Sequence, residues 1–152
     1  MQDPSTRALA DRLEIQELLA RYADMVDRRE WTKMDRIFAL EATVDFRESG
    51  GPAGPFREMM AWLDRALDSW PNNLHLVSNV ILELEGDRAT ATSYYHVPIG
   101  REAQDGKQYT LTESGRFVDR LIRTADGWRI VARVCEPVVR EGRLPDGYTI
   151  PR

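Results

Sequence analysis

Two short stretches of the sequence carry the residue types of an acid–base pair. The stretch YADMVDRREW, Tyr22–Trp31, contains Asp27, and the stretch LHLVSN, Leu74–Asn79, contains His75. A neutral imidazole removes a proton from carbon when its tautomer is fixed and the resulting cation is stabilised, and a nearby carboxylate does both. We therefore predict that Asp27 and His75 meet in a pocket and act as one catalytic unit.

Other side chains are candidates for contact with a substrate bound beside this pair. An arginine stabilises a developing anion, and Arg133 is the candidate for that role. A tyrosine hydroxyl can polarise a carbonyl or assist a leaving hydroxyl, and Tyr22, near the end of the same helix as Asp27, is the candidate. The remaining predicted substrate-binding residues are His96, Trp70, Phe117 and Asn79.

Each candidate also has an ordinary structural explanation. A lone histidine is often a satisfied structural residue, and Asp27 can cap a helix or pair with Arg28 or Arg29. Arg133 can belong to an ion pair, and Tyr22 can be a core residue with its hydroxyl at the edge. These alternatives stay open at the level of single residues.

The first part of the chain has helical periodicity. Apolar residues at three- and four-residue steps predict a long helix over Thr6–Val26, which places Asp27 at its C-terminal edge. A carboxylate there is unfavourable for the helix dipole, so its position calls for an explanation. The apolar positions of this helix are Leu9, Leu13, Ile15, Leu18, Leu19, Tyr22, Met25 and Val26. The following segments are predicted as helices over Glu30–Phe38 and Phe56–Trp70, a short strand over Ala42–Phe46 and a loop over Glu48–Pro55.

After the third helix the apolar period changes to two, which is typical of strands. The predicted strands are Leu74–Leu84, Ala89–Ile99, Tyr109–Arg123 and Trp128–Val139. The turns between them are short, so sequential strands are antiparallel. Three N-terminal helices followed by a strand meander predict an α+β sandwich, with the helices packed on a curved, mostly antiparallel sheet that encloses a pocket. Alternation does not decide which face of each strand points inward.

Length and composition limit the classes of protein. A chain of 152 residues is predicted to be a single domain, 1–152, with the aperiodic residues 141–152 as a C-terminal tail that lies against a neighbour or stays mobile. A net charge of −4 argues against nucleic-acid binding. The N-terminus lacks the apolar segment of a signal peptide and no run reaches membrane-spanning length, so no membrane contact is expected and a cytoplasmic location is predicted.

Cysteine content and motif spacing bear on cofactors. The single cysteine, Cys135, lies in an apolar run and excludes an intrachain disulfide and a Cys-rich metal site. The two histidines have none of the spacings of common metal motifs, and no phosphate-binding or dinucleotide-binding fingerprint is present. We therefore expect neither a metal nor an organic cofactor.

Four segments taken together resemble the nuclear-transport-factor-2-like superfamily and, within it, the scytalone dehydratase / SnoaL-like group. The segments are IQELLARYADMVDRREW at Ile15–Trp31, LHLVSN at Leu74–Asn79, SGRFVDRL at Ser114–Leu121 and DGWRIVAR at Asp126–Arg133. The group includes bile acid 7α-dehydratase and γ-hexachlorocyclohexane dehydrochlorinase, which are cofactor-free lyases. In these enzymes an Asp–His pair removes a proton while hydroxide or halide leaves.

The resemblance implies a cone-shaped fold and a set of site residues. It matches Asp27 and His75 with the catalytic pair, Tyr22 with a helix tyrosine of the bile acid dehydratase and Arg133 with a pocket arginine. His96 lies near a second histidine of the group by a looser alignment. The group forms dimers and trimers, so a homo-oligomer is expected here.

The hypothesis for function is therefore a cofactor-independent lyase that performs dehydratase-type β-elimination on a small hydrophobic cyclic hydroxy compound. Two alternatives remain at this stage. The same pair can serve an isomerase or cyclase that returns the proton to another atom. The chain can also be a non-catalytic module that binds a small ligand or resembles an oxygenase small subunit.

Overall fold

The computed structural model describes residues 4–151 as helices packed on one curled β-sheet. The helical elements are α1 (Pro4–Asp27), a 3₁₀ helix (Trp31–Arg36), a 3₁₀ turn (Arg47–Ser49) and α2 (Phe56–Asp68). The strands are β1 (Phe38–Asp45), β2 (Ala53–Pro55), β3 (Asn72–Asn73), β4 (Leu76–Glu85), β5 (Arg88–Glu102), β6 (Gln108–Thr124) and β7 (Gly127–Gly142). The predicted α+β class is confirmed. Within the described residues, no helix has both the length and the apolar character needed to cross a membrane.

The sheet has the order β2-β1-β7-β6-β5-β3, and β4 also pairs with β5. Neighbouring strands are antiparallel except β1 and β7, which run parallel. Register shifts interrupt β4 and two points of the β6–β7 ladder. Bulges of this kind bend strands and increase their twist, and the sheet curls into a half-barrel whose concave side holds the helices.

Helix α1 packs on the sheet through the C-terminal half of its predicted apolar stripe. Leu9 and Leu13 were expected to face inward, but each is 60% exposed. The buried position at that end belongs to Asp11, which accepts a hydrogen bond from Nε1 of Trp128 at 3.3 Å and pairs with Arg123. Polar contacts therefore hold the start of α1 against β6 and β7, and the two leucines are left on the surface.

The second predicted helix ends earlier than expected, because Phe38 begins a strand. Phe38 pairs with Ile130 of β7, whose N–H donates to the carbonyl of Ile37 at 2.9 Å. This parallel pairing extends the strand to Phe38–Asp45, where the sequence predicted Ala42–Phe46. The pairing is between residues far apart in the chain, so local periodicity did not reveal it.

The C-terminal segment also departs from expectation, since it packs on its own chain. β7 continues to Gly142. Beyond it, the carbonyl of Pro151 accepts a hydrogen bond from Nε1 of Trp62 at 2.8 Å. The ring of Tyr148 meets Trp70 edge-on, with 5.6 Å between centroids. The tail therefore lies across the open end of the space between α2 and the sheet.

Candidate active site

Asp27 and His75 lie side by side in the folded chain. Oδ1 of Asp27 is 2.7 Å from Nδ1 of His75, and Oδ2 accepts the backbone N–H of His75 at 2.9 Å. Nδ2 of Asn73 donates to the same Oδ1 at 2.7 Å. The carboxylate therefore holds both the ring and the backbone of the residue before β4, and the predicted spatial pairing is present.

The neighbouring arginines do not compete for this carboxylate. Arg28 pairs with Asp24 one turn earlier, at 2.7 Å. Arg29 adopts a left-handed backbone with φ of 57° and donates through Nη2 to the carbonyl of Leu67 at 2.9 Å and to Oδ1 of Asn73 at 3.1 Å. Arg29 thus ties the end of α1 to the end of α2 and orients Asn73 toward Asp27. The structural alternative of a pair between Asp27 and either arginine is wrong.

The hydrogen bonds of the pair keep Asp27 ionised and fix the tautomer of the neutral His75 ring. Burial alone would raise the pKa of Asp27, but the hydrogen bonds from the His75 ring, the His75 backbone and Asn73 outweigh it and lower that pKa below its usual range. An ionised carboxylate only accepts hydrogen bonds, so the proton of the neutral imidazole resides on Nδ1. Nε2 is then the nitrogen whose lone pair is available.

That nitrogen belongs to a residue that lines a cavity of about 170 Å³. The cavity lies between α2, the concave face of the sheet and the C-terminal tail, and its walls are mainly apolar. Its lining includes Tyr22, Phe46, Trp62, Leu63, Leu67, Trp70, His75, Tyr95, Val97, Leu111, Phe117, Cys135, Leu144, Tyr148 and Ile150. A small apolar ring fits such a space, since a cavity of about 150 Å³ holds benzene in another protein.

Three of the predicted substrate-binding residues face this cavity. Tyr22, Trp70 and Phe117 are each buried and contribute to its lining. Tyr22 meets Phe117 edge-on with 5.8 Å between ring centroids. Burial raises the pKa of the Tyr22 hydroxyl, although the charge of Arg133 opposes the shift. Tyr22 therefore keeps its proton and can act as a hydrogen-bond donor to a bound oxygen.

Arg133 does not reach the cavity, contrary to its predicted role in contacting substrate. Its side chain is fully buried and forms a two-point ion pair with Asp119, with both N–O distances at 2.8 Å. The guanidinium lies 4.1 Å from the ring centroid of Tyr22 and 4.2 Å from that of Phe117. Arg133 therefore supports two rings of the cavity wall from behind and acts on a ligand only through them.

A bulge in β7 explains this placement. Trp128 and Ile130 are buried, and so are Arg133 and Cys135. Strict alternation would put these two pairs on opposite faces of the strand. The register shift opposite Arg120–Leu121 places an extra residue, Val131, in β7, and the side chains after it change face until a second shift, opposite Ser114–Gly115, restores the earlier alternation before Arg140.

His96 and Asn79 lie on the outer surface. On β5 the side chain of Tyr95 points inward, so alternation places His96 outside, where Nδ1 is 2.8 Å from Oγ of Ser114. Asn79 is exposed with φ of 51°, at the register shift of β4. The bulge interrupts the alternation of β4, so Asn79, which was predicted to bind substrate, does not share the inner face with His75. Neither residue contacts the cavity.

A second polar group in the cavity surrounds Glu113, which shares a strand face with Phe117 but is not among the predicted substrate-binding residues. Glu113 accepts hydrogen bonds from Ser49 at 2.8 Å and Tyr95 at 3.0 Å, and it pairs with Arg140. The alternation of Glu113 with Phe117 was a usable signal. Ser49 lies in a predicted loop and Arg140 lies beyond the end of the predicted strand, so no periodic pattern in the sequence pointed to either residue.

Within residues 4–151, no three His, Cys, Asp or Glu side chains are grouped so that they could hold a metal ion. Cys135 is buried, and burial raises the pKa of its thiol. The thiol therefore packs as a small apolar group in the cavity wall.

The chain is similar to several known proteins. A family model described as SnoaL-like domain matches residues 7–134. The uncharacterized protein Rv2910c of Mycobacterium tuberculosis is 33% identical over 130 residues, which cover 86% of this chain and 87% of the relative. These matches extend over both segments that supply Asp27 and His75.

Two solved structures share the fold over most of their length. The Kfla4162 protein of Kribbella flavida has a TM-score of 0.79 at 28% identity and covers 88% of this chain and 95% of its own. The hexachlorocyclohexane dehydrochlorinase LinA-type3 of Novosphingobium barchaimii LL02 has a TM-score of 0.75 at 16% identity and covers 97% of this chain and 99% of its own. At the latter identity the likeness concerns the fold alone.

Proposed function

The chain belongs to the SnoaL-like domain family of the nuclear-transport-factor-2-like superfamily, and from this premise we propose that it is a cofactor-independent lyase acting by β-elimination. The observation that carries the proposal is the contact of 2.7 Å between Asp27 and Nδ1 of a His75 that lines an apolar cavity. The proposed substrate is a small hydrophobic cyclic compound with a hydroxyl or halide leaving group.

The proposed reaction begins with proton removal from carbon. Nε2 of His75 takes the proton from the carbon next to the one that bears the leaving group, and the C–H electron pair becomes the new double bond. The bond to the leaving group breaks, and hydroxide or halide departs. Asp27 stabilises the imidazolium that forms, because it already accepts the proton on Nδ1.

Departure of hydroxide requires stabilisation of a developing negative charge on oxygen. Tyr22 lines the same cavity and retains its phenolic proton, so its hydroxyl can donate to the leaving oxygen. The imidazolium of His75 returns the abstracted proton, and the oxygen leaves as water. For a halide, the proton instead passes to solvent after the product leaves.

The size and character of the cavity support a cyclic substrate. A volume of about 170 Å³ and mainly aromatic and aliphatic walls favour one ring with small substituents over a chain or a highly charged molecule. Exclusion of water by these walls also strengthens the interaction between Asp27 and the imidazolium.

The test is product analysis on a panel of hydroxylated and halogenated cyclic compounds. Mass spectrometry should show loss of one water or one hydrogen halide with the native protein and none with His75→Gln. His96→Gln is the matched control, because it replaces the other histidine, which lies outside the cavity, and it should retain activity. A product of unchanged mass would instead indicate an isomerase. Binding without any conversion across the panel would contradict catalysis.

A further inference from the structure

The cavity contains a second polar group that the proposed elimination does not use. Glu113 of β6 receives four hydrogen bonds: Oε1 accepts from Ser49 and Tyr95, and Oε2 accepts from Nε and Nη2 of Arg140. Glu113 and Arg140 together carry no net charge. Ser49, Glu113, Tyr95 and Arg140, named here the Glu113 cluster, all line the cavity.

Strand register fixes where this cluster lies relative to His75. Leu76 pairs with His96, and the N–H of Leu74 donates to the carbonyl of Pro98 at 3.1 Å. His75 therefore lies opposite Val97. Along the same transverse row, Val97 pairs with Glu113, and Glu113 pairs with Arg140.

This row sets the distance between the two polar ends of the cavity. His75 and Glu113 are separated by two strand spacings, which is roughly 10 Å between backbones. If the side chains of His75 and Glu113 project into the cavity side by side, their polar ends keep roughly this spacing. A hydrogen bond of about 3 Å at each end then leaves room for about one six-membered ring. Val97, which also lines the cavity, supplies an apolar surface in the middle of the row.

The hydrogen-bonding capacity left over at the cluster defines what it can bind. The hydroxyl protons of Ser49 and Tyr95 are directed at Glu113, so their oxygens remain acceptors. Burial and the nearby negative charge of Glu113 raise the pKa of Tyr95, which keeps that proton in place. Nη1 of Arg140 has no partner among the described residues and remains a donor. The cluster therefore offers hydroxyl oxygens as acceptors and the N–H groups of Nη1 as donors, which suits a neutral hydroxyl group.

We infer that the Glu113 cluster binds a second hydroxyl group of the substrate, across one ring from the carbon that His75 deprotonates. The inference rests on the proposed function for the orientation of the ring, and it adds the substrate class: a monocyclic compound with polar groups at opposite ends. A carboxylate at the distal end is disfavoured, because Glu113 already neutralises the positive charge of Arg140.

Binding of simple probes tests the inference without a known substrate. Hydroquinone and p-cresol have the same ring and differ by a hydroxyl in place of a methyl group, and p-hydroxybenzoate adds an anion. Under argon, calorimetry with the full-length protein should show hydroquinone binding about tenfold more tightly than p-cresol. In Glu113→Gln this preference should fall at least threefold, and p-hydroxybenzoate should gain affinity because Arg140 loses its counter-ion.

Two further variants keep the test decisive. Glu141→Gln makes the same substitution at an exposed position of β7 and should leave all three affinities unchanged. Tyr95→Phe removes one acceptor and should reduce the hydroquinone preference even if Glu113→Gln does not fold. Equal affinity of the native protein for hydroquinone and p-cresol, no binding of either, or an unchanged preference in the folded variants would overturn the inference.

The outcomes also separate this inference from the proposed function. If the hydroquinone preference holds but no compound undergoes elimination, the elimination proposal fails and the second hydroxyl subsite stands. If the native protein catalyses elimination while the preference is absent, the subsite fails and the lyase proposal stands.

Discussion

Replacement of Asp27 by asparagine should reverse the tautomer of His75. The substitution keeps the shape of the side chain but replaces one acceptor oxygen with a donor NH₂ group. If the amide oxygen takes the place of Oδ1, the NH₂ group faces the fixed backbone N–H of His75, which cannot move away. If the oxygen takes the place of Oδ2, the NH₂ group faces Nδ1 of the ring and Asn73. The second arrangement is favoured, because the ring can exchange its proton between nitrogens and the Asn73 side chain can rotate, whereas the backbone amide can do neither.

In that arrangement Nδ1 becomes the acceptor and Nε2 carries the proton. The lone pair that faces the cavity is then lost, and with it the base. Replacing the orienting carboxylate of a catalytic triad by its amide costs about 10⁴-fold in rate, and a loss of this order is expected here. A hydrogen bond to a charged group contributes about 1.5–3 kcal/mol. The free energy of unfolding of Asp27→Asn should therefore be lower than that of the native protein by about 1.5–3 kcal/mol.

The assay is a long-range ¹H–¹⁵N spectrum of protein labelled in histidine. The chain has 2 histidines, and His96→Gln assigns the signals. In spectra recorded with the His75 ring in its neutral form, the native protein should show a protonated Nδ1 and an unprotonated Nε2, and Asp27→Asn should show the reverse. A His75 spectrum that keeps Nδ1 protonated in Asp27→Asn would refute the reasoning, and so would an unchanged rate.

Four further predictions concern stability and access. Arg133→Leu should lower the free energy of unfolding in urea by about 3–5 kcal/mol, because Asp119 is left buried without its partner. The double variant Arg133→Leu with Asp119→Leu should be more stable than Arg133→Leu alone. Additive losses of stability from the two substitutions would contradict this reasoning. The folded-state pKa of Asp27 is lowered, so ionised Asp27 stabilises the folded protein. This contribution to the free energy of unfolding is complete above the unfolded-state pKa near 3.8 and is lost as pH falls through the folded-state pKa. The stability difference between native protein and Asp27→Asn should therefore shrink in acid, and a constant difference would argue against the pair. Cys135 should react with a disulfide reagent only after denaturation, because burial raises its pKa, and rapid reaction in the folded protein would show an open cavity. Deletion of residues 143–152 should increase acrylamide quenching of the cavity tryptophans, since the tail covers them, and unchanged quenching would place the tail elsewhere.

Much of the fold is predictable because it depends on local patterns. The helix that ends at Asp27 follows from apolar residues at helical steps, and the long strands follow from alternation between turn-forming sequences. The face of β6 that holds Glu113 and Phe117 could likewise be grouped from its spacing. Pairing of Asp27 with His75 was predicted from the chemistry of the two residue types and supported by the resemblance to a family, since the spacing of two residues in different elements does not define a contact.

The placement of the other candidate residues required the tertiary structure. Spacing groups side chains on a face but does not say which face is buried, and for this reason His96 was expected inside while Tyr95 occupies the inner face. A bulge adds one residue and changes the face of the side chains that follow it as far as the next bulge, which buries Arg133 against Asp119.

The sequence by itself therefore determined the long helices and strands, the fold class and the two residues that could form an acid–base pair. The tertiary structure decided which other groups share the cavity with that pair. Ser49, Arg140 and the tail approach it from segments without periodicity. Their positions depend on strand register, chain curvature and packing between residues far apart in the sequence, and no local pattern encodes those quantities.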